Sequence, residues 1–107
     1  MSDQHRYRTL VEAPEYTAQF DDILSRHSIN VIAPVLAGLA WGIATNPRAY
    51  SRTISNLYVA KSRSLGLTIP TFMILFQIQN EGEENEQVLL CWIEEISTAE
   101  EISEFLT

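Results

Sequence analysis

Two stretches of the chain alternate more insistently than any other: residues 69–79 and 87–96. In the first, the two-residue period of a strand puts Phe72, Ile74, Phe76 and Ile78 on one face, and Met73 and Leu75 make the other face apolar as well. In the second, the same period places Val88, Leu90, Trp92 and Ile96 on one face and Leu89, Cys91 and Ile93 on the other. A strand that is apolar on both sides needs cover on both sides, so this pair is expected at the centre of a sheet. The loop between them, 80–86, holds Glu81, Glu83, Glu84 and Glu86 and keeps a hydrophobic hairpin soluble at its tip.

Upstream, Tyr7, Thr9 and Val11 alternate with Arg8, Leu10 and Glu12, which predicts one more strand. Pro14 then suits the first turn of a helix, where its missing N–H has no intrahelical partner, and Glu15 favours the positive end of the helix dipole. Tyr16, Phe20, Ile23 and Leu24 recur at helical spacing, giving an amphipathic helix from 14 to about 27. A second helix is expected over 30–45. Val31, Val35, Leu39 and Ile43 fall near one face of it, with Ile32, Leu36 and Trp41 widening the stripe. Asn30 as its cap would keep Pro34 within the first turn, and Asn46 before Pro47 ends it. So short a link makes the two helices an antiparallel hairpin, a lid for one face of the sheet.

Residues 48–64 are the least decided; 56–63 reads as a strand ending in Lys61 and Arg63 on one face. Past 96, Ser97 and Glu100 form a capping box that opens a short helix over 98–106, with Ile102, Phe105 and Leu106 inward. The expected fold is α+β: an N-terminal strand, a two-helix hairpin, an antiparallel sheet of about three further strands, and a short C-terminal helix. The 107 residues form a single domain, of which 1–5 are a polar tail.

Charge sharpens the picture. The net charge is −7, yet all seven basic residues lie in the first 63 positions, against five acids there, whereas nine acids and no base follow. The longest uncharged run, 28–47, is interrupted by Asn30, Pro34, Gly38 and Gly42, so neither signal peptide nor membrane span is expected. The lone Cys91 has no disulfide partner within the chain, which fits a reducing compartment and a cytoplasmic location.

Little along the chain carries recognisable chemistry. The acidic loop lacks the ligand order of a calcium loop, and His5 and His27 have no metal-ligating neighbour at useful spacing, so no metal and no cofactor is expected. Neither a nucleophile elbow nor a glycine-rich phosphate loop is present. Arg48, Arg52, Lys61 and Arg63 are the one cluster able to meet an anion. Salt bridges to the chain's own acids compete for them, and the overall negative charge disfavours nucleic acid. Trp41 and Trp92 read as core. Glu94 and Glu95 interrupt the last strand, so one faces out and the other faces a helix or partner, with a base beside at least one of them. These four residues are the candidates for partner binding.

The order of elements resembles the RelE/ParE superfamily of bacterial toxin–antitoxin toxins. The likeness is carried by the strand 7–12 running into a helix begun at Pro14, a second helix ending at Asn46 and Pro47, and closing strands over 72–76 and 88–93. The resemblance implies a small toxin, or a degenerate relative, that binds an antitoxin segment of basic or amphipathic character. It also implies, for ribonucleolytic members, basic residues on the sheet that hold a scissile phosphate; Lys61 and Arg63 occupy that region, with Arg52 and Arg48 nearby. The family's aromatic–Arg–aliphatic setting is here Phe72, Met73 and Ile74, and its last strand ends in Glu94 and Glu95. Neutral and negative groups in place of positive ones point away from RNA cleavage, so a non-enzymatic binding protein is the first expectation. An endoribonuclease and a non-toxic homodimeric interaction module are the alternatives.

Overall fold

The computed structural model describes residues 7–53, 56–62 and 70–96. Within them the chain forms β1 (Thr9–Glu12), α1 (Pro14–Arg26), α2 (Ile29–Thr45), a 3-10 turn (Pro47–Ala49), β2 (Ser51–Arg52), β3 (Leu57–Lys61), β4 (Thr71–Gln79) and β5 (Gln87–Ile96). The strands make one sheet in the order β1-β5-β4-β3-β2, so β4 lies at the centre, where its two apolar faces require it to be. β1 runs parallel to β5, and the remaining neighbours are antiparallel. The architecture is the expected α+β arrangement, with one addition: the two-residue edge strand β2 makes four strands after the helices instead of about three. The polar tail, Arg63 and the short C-terminal helix with its Ser97 and Glu100 box lie outside the described residues.

Pro14 opens α1, which buries Tyr16 and Ile23 against the sheet. The start of α2 corrects the expected cap. The helix begins at Ile29, and the Ser28 carbonyl accepts from the N–H groups of Val31 at 3.0 Å and Ile32 at 3.2 Å. Pro34 therefore sits beyond the first turn and deprives the Asn30 carbonyl of its donor; Asn30 is exposed, so water can supply one.

The core lies between the helices and one face of the sheet. Ile32, Leu36, Leu39 and Ile43 of α2 are buried there with Tyr58, Ala60, Phe72, Ile74, Phe76, Val88, Leu90 and Ile93. Phe76 is its aromatic hub, stacked on Tyr58 at 5.4 Å and met edge-on by Tyr50 at 6.0 Å. Two expectations about this core are corrected. Val31 and Trp41 point outward, 42% and 56% exposed, because α2 has no charged residue to mark its wet side and its apolar pattern runs all the way round. In β5, Leu75 faces Trp92 but Phe76 faces Leu90, which leaves Cys91 unmatched as a bulge. Beyond it every side chain changes face: Ile93 and Glu95 turn to the helices, and Trp92, Glu94 and Ile96 to the outer face.

Candidate functional site

The helix hairpin does not close over the sheet completely. Between α1 and α2, above the β1/β5 edge, runs a groove of about 310 Å³. Tyr16, Phe20 and Leu24 form its α1 wall; Ile29, Ala33, Ala37 and Ala40 form the α2 wall. The i, i+4 spacing on each helix makes these walls, and the small alanines on α2 keep them apart. Leu10 and Leu90 lie at the base, and among the described residues Glu12 is the one charged lining residue. The Glu12 carboxylate accepts from Thr17 Oγ1 at 2.8 Å, which fixes it at the β1–α1 corner. Burial, and secondarily the charge of Glu12, pushes the Tyr16 hydroxyl up to about 12, so it stays protonated near neutrality.

An aromatic pair flanks the groove. Trp41 follows Ala40 on α2, and the Tyr7 ring lies 4.5 Å from it at a 52° tilt. Both are more than half exposed, at 56% and 53%. Groove and pair together offer apolar surface with an acid at one end. That chemistry suits the apolar stripe of an amphipathic segment with a basic head near Glu12. Sequence reasoning missed the groove because its lining is core-like residue by residue; its openness follows from α2 carrying alanine where a filled interface would carry leucine.

The structure disperses the basic cluster. Arg48 is committed to the hairpin tip, its Nε donating to Glu81 Oε2 at 3.2 Å and its Nη1 to Glu86 Oε1 at 3.3 Å. Arg8 completes the node, with Nε 3.0 Å from Glu86 Oε1 and Nη1 donating to the Thr45 carbonyl at 2.6 Å. The Glu86 carboxylate is held down to about 2, chiefly by the Arg48 hydrogen bonds, with the Gly82 N–H and Arg8 adding to them. The internal ion pairs weighed against anion binding are thus present for Arg48. Arg52 sits in β2 opposite Tyr58 on the helix side of the sheet, whereas Lys61 ends β3 opposite Met73 on the other side. Lys61 and Ser62 also border a second cleft between α2 and β3, but the Ser62 hydroxyl there already accepts the Phe72 N–H at 2.9 Å.

Among the partner-binding candidates, Glu95 is occupied within the fold. It accepts from Arg26 Nη1 at 2.9 Å and contacts His27 Nε2 at 2.7 Å, tying the end of α1 to β5. The expected basic neighbour is therefore real, and its role is structural. Glu94 stays on the exposed side, its carboxylate accepting from Trp92 Nε1 at 3.1 Å. Trp92 itself, expected in the core, is half-buried on the outer face of the sheet. Trp41 stands open beside the groove. No described helix is long and apolar enough to cross a membrane. Compared with protein-family models, with curated proteins and with solved structures, the chain matches none of them.

Proposed function

We propose that this chain is a toxin-like component of a bacterial toxin–antitoxin pair that acts by binding protein and does not cut RNA efficiently. The observation that carries the reading is the open α1/α2 groove, apolar along its walls and acidic at Glu12, with the exposed Trp41 and Tyr7 beside it. Such a groove takes the apolar face of an amphipathic or basic antitoxin-like segment. Two features support the absence of efficient cleavage: Arg48 is neutralised by Glu81 and Glu86, and Arg52 and Lys61 belong to opposite sides of the sheet. Stabilising the charge of a phosphodiester transition state requires donors converging on one point.

The test is expression in a bacterium, alone and together with the product of the adjacent reading frame. Growth arrest by the chain alone, relief on co-expression, and a complex that Ala37→Arg abolishes are the expected results. An innocuous chain that captures no neighbouring product overturns the reading. Purified protein should leave RNA intact; cleavage lost in Lys61→Ala would replace this function with an endoribonuclease.

A further inference from the structure

The sheet face turned away from the helices is closed at one end by the buried Thr71 and Ile96, and next to them it carries side chains in three rows. Val59, Leu75 and Trp92 stand abreast across β3, β4 and β5. On one side of them stand Lys61, Met73 and Glu94; on the other Leu57, Gln77 and Leu89, extended onto β1 by Val11. The middle is apolar, and the charged row places a base on β3 and an acid on β5, equally disposed about β4.

We infer that this face binds the same face of a second copy of the chain, in a dimer whose two-fold axis runs along β4. Rotation about that axis exchanges β3 for β5. Lys61 of each copy then meets the partner's Glu94, Val59 meets the partner's Trp92, and Leu75 meets its own counterpart. Each contact occurs twice, as a closed two-fold interface requires. The charge pattern selects this axis over the perpendicular one, which would lay Lys61 and Glu94 over the apolar row of Leu57 and Leu89. Trp92 Nε1 already orients the Glu94 carboxylate from within the chain. Lys61 is engaged within its own chain, and an ammonium has three donors to share.

Size sets the strength. Four strands spaced about 4.8 Å apart and three rows about 7 Å apart give a footprint of roughly 300 Å². A standard interface buries about 800 Å² on each side, so this is a small, transient contact that forms only at high protein concentration.

The experiment is sedimentation equilibrium from about 10 to 500 μM on the full chain, with Lys61→Glu, Glu94→Lys and their equimolar mixture, each checked for an unchanged thermal melt. The wild type should dimerise with rising concentration. Each reversal alone should weaken association at least tenfold, because it creates two like-charge contacts. Mixing the two variants should restore it, since both contacts in the heterodimer regain opposite charges. A monomer at all concentrations, a dimer indifferent to the reversals, or a mixture no tighter than its components overturns the inference. The result is independent of the antitoxin reading, whose groove lies on the other side of the sheet.

Discussion

Arg48 and Glu86 stand 38 residues apart in sequence and share two hydrogen bonds, so the turn after α2 is clamped to the tip of the β4–β5 hairpin. The clamp makes stability depend on acidity. The folded-state pKa of Glu86, about 2, lies below the ordinary 4.5, so its contribution is complete above about 4.5 and is lost as the pH falls through about 2. The shift alone would correspond to roughly 3 kcal/mol, and screening at the 39% exposed Arg48 reduces it to about 1–2 kcal/mol. Thermal melts between pH 7 and 2 should show Glu86→Gln less stable by that amount near neutrality. The difference from wild type should vanish toward pH 2, and a constant difference across the range would refute the assignment.

Two glycines on α2 are expected to respond in opposite directions. A Cβ at Gly38 meets open space, so Gly38→Ala should stabilise the protein by about 0.5–1 kcal/mol through helix propensity alone. A Cβ at Gly42 would fall on the Tyr50 hydroxyl, and the Tyr50 ring is braced against Phe76. Gly42→Ala should therefore destabilise by about 1–2 kcal/mol net of propensity. Urea denaturation of the pair reads both signs at once.

Trp41 should separate binding from folding. Exposed and in contact with Tyr7, it stabilises the monomer little, so Trp41→Ala should change the unfolding free energy by less than about 0.5 kcal/mol. On the proposed function, the same change should weaken capture of the antitoxin-like segment by at least tenfold, as loss of an aromatic anchor does at an interface. Calorimetric titration against the partner, beside a melt of the free chain, makes the comparison.

Cys91 is expected to be an unreactive thiol. Burial, and then the negative charge of Glu15, raises its pKa, which lowers the thiolate population near neutrality. Iodoacetamide at pH 7.5 should modify the folded protein more slowly than the urea-unfolded chain. Equal rates would show that the bulge leaves the sulfur open.

The central hairpin was legible because Phe72, Ile74, Phe76 and Ile78 can share a face only as a strand, and Met73 and Leu75 demand neighbours on the other side. The helix hairpin was legible from Pro14, the stripe of Tyr16 and Ile23, and the stop at Asn46 and Pro47. The bulge at Cys91 was not, since both faces of β5 are apolar there and a one-residue slip leaves no mark on the pattern. Trp41 was misplaced for a related reason: along an uncharged helix, hydrophobicity cannot tell the buried side from the open one. The node of Arg8, Arg48 and Glu86 depends on pairings up to 78 residues apart, which local spacing does not encode.

The parallel pairing of β1 with β5 has a temporal consequence. Thr9 must wait for Gln87, which itself also pairs with Gln79, so the β1 edge of the sheet can form only after nearly all of the described chain has left the ribosome. Until then α1 has no β5 to lie on. The nascent chain thus has an interval in which the helix hairpin exists without the sheet edge that later lies beside it.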